Sequence, residues 1–449
     1  MPVAKQHFWT NPSVIKFAGA NDPINAILSC AQRVVFEAME EGWTGPPFDP
    51  FKLAQLRHIC VVPKDNVEEA RLSVQSGRPT VEYNPLKPQS RIRYSVAHEV
   101  AHSLFPDFRE TTRNRAAHHA DAESWQLEML CNLAAAEFLM PTGTLIGPLP
   151  HELDIHAVIE WRKRYQVSTE AMLLRLLRTQ HHALMVFSAS TTNGEDYIWD
   201  YVLTPAGPIT NLYGSAVDRN LPVRNCVAIG YTDKGNGELP GIGRVRLECV
   251  GIPGYPASTH PRIVGFARPI DSTSAETSEL KEIRGNALKP RGNLPYLLAH
   301  VVNDKARSWG AGFGKQVALN YPKLAERFRV AMESSNRPRL GDIFAAQVDD
   351  NLTVVQMVAQ SGYGESDRPR VRYASLQDCL RKLRDLASQK KASVHMPPIG
   401  TGYGGGAWSL IRELIEQELV ARGVNVTVYQ LHEQPAARAK QPSLFRRVT

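Results

Sequence analysis

The spacing of apolar positions changes along the chain and divides it into three blocks. In the first, residues 1–180, the period is helical. Ile27, Leu28, Val34, Val35 and Ala38 fall at helical spacing over 25–40, with Ile24 just before, and the run is ended by Gly42 and Pro46. Further helices are expected over 92–105, free of Gly and Pro from Arg93 and stopped by Pro106, and over 122–139, stopped by Pro141. Two shorter helices over 155–165 and 168–178 close the block, with Ser168 or Thr169 as N-cap. Extended runs at His58–Val62 and Thr80–Tyr83 lie between the first two helices.

From Ala183 the period shortens. ALMVFS, YIWDYVL, NCVAIG, RVRLECV and RIVGFA are short β-type runs separated by Gly, Pro, Asn and Asp, which predicts a β-rich domain over 183–270. The polar stretch 271–281 reads as a linker. Over 282–434 strands and helices alternate, the pattern of an α/β domain with a largely parallel sheet. The expected fold class is multidomain, α+β followed by α/β. The basic tail 435–449 is expected to be disordered.

Composition changes this picture little. At roughly 150 residues per domain, 449 residues suggest three domains. No apolar run reaches the roughly 18 residues that span a bilayer, so no membrane partner is expected. The first residues carry no secretory signal pattern. Six cysteines lie far apart without a CxxC pair, which predicts reduced thiols and a cytoplasmic location. The net charge of +7 is small for this length and favours a polyanionic partner only mildly.

The first candidate chemistry is His98-Glu99-Val100-Ala101-His102, an HExxH pattern. Residues four apart share a helix face, so both imidazoles can converge on one Zn²⁺. Glu99 is placed to take a proton from an attacking water as general base. A third ligand is required. Glu128, 26 residues past His102, is the candidate, with Asn132 one turn later behind the ligands. His118, His119, Asp121 and Glu123 compete for the role.

RIRYSVAHEVAHSLF followed by EMLCNLAAAEFLMP resembles the ImmA/IrrE family of zinc metallopeptidases. The resemblance covers residues 20–180. It implies a gluzincin-like fold, His98, His102 and Glu128 as zinc ligands, Glu99 as base, and cleavage of a specific protein partner such as a repressor. VEYNP, Val81–Pro85, resembles the strand beside that family's cleft. Tyr94, Leu130 and Cys131 depart from its pattern without removing a ligand. The helix pair over 155–178 also permits a DNA-binding reading, with Arg162, Lys163, Arg164, Arg175 and Arg178 on phosphates. Packing of Ile155, Val158, Ile159, Leu173, Leu174 and Leu177 on the peptidase core is the favoured alternative.

The second candidate chemistry is a pair of glycine loops after apolar strands, 303–314 and 397–406. Such loops expose backbone N–H groups that cradle a diphosphate. The segment Ile283–Leu431 resembles macro domains, the ADP-ribose-binding modules, and implies a three-layer α/β/α fold. By resemblance, Ile283 and Asn286 meet adenine. Asn303, Trp309, Gly310, Gly312 and Phe313 surround the distal ribose. Gly400, Thr401, Gly402, Tyr403, Gly404 and Gly405 hold the diphosphate. A hydrolytic subclass uses a lysine and an aspartate where this chain has Gln360 and Gly404, so a reader of ADP-ribose is expected. The combined expectation is a zinc endopeptidase that a macro domain regulates or recruits, in stress or phage response. The β-rich block, between the two sites in sequence, is the expected transmitter. A macro-domain hydrolase of antitoxin type with a vestigial peptidase, and a DNA-binding regulator, are the alternatives.

Overall fold

The computed structural model describes residues 9–109, 113–114, 124–145, 153–179, 184–191, 193–255, 258, 260–270, 278–292, 295–305, 311–363, 366 and 368–430. Helices α1 (Pro12–Ala18), α2 (Pro23–Glu40) and α3 (Pro50–Leu56) lead into strands β1 (Cys60–Pro63), β2 (Ala70–Gln75) and β3 (Arg78–Tyr83). Then come α4 (Gln89–His102), the short β4 (Arg113–Asn114), α5 (Ser124–Leu139), α6 (Ile155–Tyr165) and α7 (Thr169–Thr179). α2 starts cleanly because the Asp22 carboxylate accepts the Asn25 N–H and Pro23 occupies the first turn. α4 begins a turn earlier than expected and ends at His102, where the chain passes into turns before Pro106. The sheet runs β1-β3-β2-β4, so Val81–Tyr83 of VEYNP lie on an inner strand, and both β3 and its neighbour β2 pack on α4.

The middle unit is one antiparallel sheet in the order β7-β6-β5-β10-β9-β8. Its strands are β5 (Met185–Thr191), β6 (Tyr197–Thr204), β7 (Gly207–Pro208), β8 (Thr232–Leu239), β9 (Gly243–Ile252) and β10 (Arg262–Pro269). The expected strand NCVAIG is instead the end of a 3₁₀ turn, Pro222–Asn225, followed by an irregular segment. The edge position belongs to β8, TDKGNGEL, whose glycines and polar residues give no apolar face to detect. One face of this sheet lies on α6 and α7. Arg262 pairs with Glu170 at 2.6 Å, Tyr201 donates to Glu170 at 2.7 Å, and the Ile155 N–H donates to Glu248 at 3.0 Å. The helix pair is thus enclosed between the sheet and the first core. Arg175, one of the cations a DNA-binding role would use, is buried in an ion pair with Glu137 at 2.6 Å.

The third unit comprises β11 (Leu280–Arg284), β12 (Tyr296–Asn303), α8 (Gly312–Asn320), α9 (Pro322–Glu333), β13 (Ile343–Gln347), β14 (Leu352–Gln360), α10 (Tyr373–Lys390), β15 (Ser393–Met396), α11 (Trp408–Glu418) and β16 (Val426–Gln430). The sheet order is β11-β16-β15-β12-β14-β13, parallel except for the edge strand β13. Leu298 and Val302 face Val317, Leu324 and Phe328 of α8 and α9. Leu297 and Ala299 face the opposite layer, with Leu376, Leu380, Ile411 and Leu414 of α10 and α11. That second layer also packs on α2, where Phe36 and Tyr373 have ring centroids 5.9 Å apart. The third unit therefore touches the first directly, and the middle sheet does not intervene at that contact. No helix among the described residues is long and apolar enough to cross a membrane.

Candidate functional site

α4 and α5 cross so that three ionisable side chains converge. His98 Nε2 is 2.8 Å from Glu128 Oε2, and His102 Nε2 is 3.4 Å from Glu128 Oε1. All of these groups are buried. The other imidazole nitrogens are engaged by α5. His98 Nδ1 lies 2.9 Å from Asn132 Oδ1, which also accepts the Tyr94 hydroxyl, and His102 Nδ1 lies 3.3 Å from Cys131 Sγ. An amide oxygen can only accept, so Asn132 fixes the proton of His98 on Nδ1 and leaves Nε2 with its lone pair. Both Nε2 atoms and the carboxylate then share one buried space. This donor set, two imidazoles and a carboxylate, is that of a zinc site with an open position. His98, His102 and Cys131 also cluster closely enough to hold an ion. Cys131 touches the Nδ1 edge of His102, however, which makes it a partner of that ring.

Glu99, adjacent in sequence, is fully buried, and its Oε2 accepts the Leu72 N–H at 2.7 Å. The strand touching the site is thus β2, which sequence spacing did not single out. Behind the site, Glu137 accepts the Thr142 N–H at 2.8 Å and pairs with Arg175, which also donates to Met140 O at 2.9 Å. That network ends α5 and explains the buried glutamate in AAAEFLMP. His118, His119, Asp121 and Glu123 lie outside the described residues.

The second site is at the C-terminal ends of β12, β14 and β15, where ligands of parallel sheets bind. Gly404 is buried and so tightly placed that a Cβ there would meet Gly400 O at 2.4 Å and Gln360 Nε2 at 2.5 Å. Gly400 and Gly405 have φ of +71° and +63°, which side chains rarely adopt. Gly405 and Gly406 donate back to Gly402 O and Gly400 O at 3.0 and 2.9 Å. Among the described residues, the N–H groups of Thr401, Gly402, Tyr403 and Gly404 have no acceptor in the chain. Tyr403 is 80% exposed, and its ring passes 3.6 Å from where a Cβ on Gly312 would be, which brings the two glycine loops together. Phe313 packs on His300 with ring centroids 5.8 Å apart, and burial pushes His300 down to about 4, so this imidazole is neutral.

The other residues of this site are more local. Asn303 ends β12, and its Oδ1 accepts the Lys305 N–H at 2.9 Å. Ile283 is half-buried on β11, opposite Tyr429. Asn286 is exposed, and its Oδ1 accepts the Leu288 N–H at 3.0 Å, so the acceptor expected to meet adenine closes a turn. Trp309 and Gly310 lie outside the described residues.

Residues 57–177 match the model of the IrrE N-terminal-like domain, Peptidase_M78. A solved macrodomain protein from Streptomyces coelicolor is 32% identical, with 34% of this chain and 99% of that one covered, at a TM-score of 0.30. The chain thus carries an IrrE-like segment, and about a third of it is similar to macrodomain proteins. The metal-type cluster lies within the matched IrrE-like segment. Curated relatives include Chromodomain-helicase-DNA-binding protein 1-like from Mus musculus, 29% identical over 191 residues, 38% of this chain and 20% of that protein. ADP-ribose 1''-phosphate phosphatase from Saccharomyces cerevisiae is 24% identical over 180 residues, 34% of this chain and 99% of that protein. The chain spans about a fifth of the length of the mouse relative.

Proposed function

We propose that the IrrE-like domain is a zinc-dependent endopeptidase acting on a protein partner, and that the macrodomain binds ADP-ribose or a derivative without hydrolysing it. The observation that carries the first half is the convergence of His98 Nε2, His102 Nε2 and Glu128, with the far side of each ring engaged by α5. Zinc held there supplies Lewis acidity toward a scissile carbonyl and toward water. Asn132 and Cys131 orient the two rings. Glu99, fixed through the Leu72 N–H, receives the proton of the attacking water and returns it to the leaving amine.

For the macrodomain, four unpaired N–H groups at Thr401–Gly404 suit a diphosphate, and the yeast relative is named for an ADP-ribose phosphate. Gln360 and Gly404 offer neither an ammonium nor a carboxylate at the loop, which favours binding over hydrolysis. In this reading Ile283 lines the adenine end, residues 400–405 the diphosphate, and Asn303, Gly312 and Phe313 the distal ribose. The test is metal content by atomic absorption, peptide cleavage, and calorimetry with ADP-ribose. Glu99→Gln is expected to retain zinc and lose cleavage by at least a hundredfold. Glu128→Ala is expected to lose both. Full metal content and activity in Glu128→Ala would overturn the ligand set, and efficient release of ADP-ribose from a modified glutamate would overturn the reader assignment.

A further inference from the structure

We propose that Glu40 of the IrrE-like domain is a positioning residue for the macrodomain's glycine loop, and that through this contact occupancy of the loop and of the metal site are linked. The proposal rests on the reading of the two sites given above.

Glu40 ends α2. Its Oε1 accepts the N–H of Tyr373, the first residue of α10, at 3.1 Å, and its Oε2 lies 3.5 Å from Arg372 Nε. α10 has no side-chain cap from its own N-cap residue, Arg372. The cap comes from the other domain, satisfying one of the N–H groups that every helix start leaves open. The side chain is largely buried, and burial pushes its pKa up to about 7. A titratable group kept in such a place costs stability unless its hydrogen bonds are made.

The backbone that Glu40 holds is the backbone that holds the loop. The N–H groups of Arg370 and Val371 both donate to Gly404 O, at 2.8 and 3.0 Å. The Tyr373 hydroxyl accepts the Ala407 N–H at 2.9 Å, where the loop enters α11. A Cβ on Gly406 would lie 2.7 Å from Val371 Cγ1. Residues 370–373 are therefore a clamp, with the candidate diphosphate loop on one side and Glu40 on the other.

The other end of the connection is α5, which carries Glu128, Cys131 and Asn132. α2 packs along α5, and an amide chain ties the three helices together. Gln377 of α10 donates to Gln32 Oε1 at 2.8 Å, and Gln32 donates to Thr142 Oγ1, just past α5, at 3.1 Å. Thr142 is the residue that Glu137 of α5 holds. Glu413 of α11 accepts the neighbouring Gly143 N–H at 2.5 Å. A ligand that orders residues 400–405 acts on the clamp, the clamp on α2, and α2 on the helix bearing the third metal ligand. Linkage requires that the ligand bind two arrangements of this path with different affinity, and it is then reciprocal.

The experiment uses the full chain. ADP-ribose affinity is measured by calorimetry for the unaltered protein, Glu40→Ala and Glu40→Gln, with circular dichroism as a check of folding. Zinc affinity of the unaltered protein is measured by chelator competition with and without saturating ADP-ribose. Glu40→Ala is expected to weaken ADP-ribose about 5-fold or more, and Glu40→Gln, which keeps an acceptor oxygen, to restore most of it. Zinc affinity is expected to change with ADP-ribose by a factor of about 5 to 150, and ADP-ribose affinity to change by the same factor with zinc. Unchanged ADP-ribose affinity in Glu40→Ala overturns the positioning role. Zinc affinity indifferent to bound ADP-ribose overturns the linkage, and this arm needs no variant should Glu40→Ala fail to fold. No binding heat in the unaltered protein would instead sink the reading of the loop as the ligand site, and this proposal with it.

Discussion

A buried amide that bonds to nothing is a costly side chain to keep. Gln356 of β14 is fully buried, and neither its Nε2 nor its Oε1 has a hydrogen-bond partner among the described residues. It stands in register with His300 on β12 and Phe344 on β13, beneath α8 and α9. Leucine has a similar volume and no polar atoms to desolvate. Gln356→Leu is expected to stabilise the chain by about 1 kcal/mol in denaturant unfolding, since an unpaired buried polar group costs about 1–3 kcal/mol. A loss of stability instead would show that the amide is bonded in solution. At this scale the sequence was informative wherever chemistry follows a fixed local spacing. His98, His102 and Glu99 are legible because a helix brings positions four apart onto one face. The contact of Cys131 with His102 was not, because it depends on how α5 is rotated against α4.

Helices were more legible than strands, and the reason is the length of their signal. α2, α6 and α7 each show an apolar period over about three or more turns, and Asp22, Asp154 and Ser168 cap their starts, while α5 is marked by its long apolar run up to Pro141. α9 escaped because it starts at Pro322, one residue past the end of α8, and a proline there reads as the stop of one helix rather than as the first turn of the next. β8 escaped because a glycine-rich edge strand has no alternation to read. The glycine loop was legible as a loop, whereas its tightness was not. Gly404 does not need a positive φ; it needs the absence of a side chain, because Gly400 O and Gln360 Nε2 occupy that space. Gly404→Ala is therefore expected to displace the loop and lower ADP-ribose affinity about tenfold or more, roughly 1.4 kcal/mol, with unchanged circular dichroism. Undiminished affinity would show that the loop can shift without loss of its ligand-binding shape.

The two outer domains share an interface that contains one raised carboxyl from each. Burial pushes Glu40 and Glu413 from the ordinary 4.5 up to about 7, against the pull of Arg372 and Arg175 respectively. The docked chain thus holds both protons more tightly than an opened one. The stabilisation is complete below about 4.5 and is lost as the pH rises through about 7. A tenfold gain in proton affinity on docking is worth about 1.4 kcal/mol, so the interface is expected to weaken by a few kcal/mol between pH 5 and pH 8. Hydrogen exchange in α2 and α10, corrected for intrinsic rate, should show protection falling over that range. Glu40→Gln combined with Glu413→Gln should flatten the dependence. Protection that instead rises with pH would mean that the ionised forms are the ones the interface prefers.

Gly143 marks how close the domains come. Its φ is +81°, and a Cβ built there would lie 2.3 Å from Leu410 Cδ1 and 2.5 Å from Leu410 Cα. One backbone rests against another with no room for a methyl group. The halves of this protein are consequently poor interchangeable cassettes. A foreign macrodomain grafted after the middle sheet would have to present the same bare fit at Gly143 and cover the same flank of α2 around Phe36. Otherwise the chimera would show water an oily surface and tend to self-associate, whatever the quality of its ligand loop.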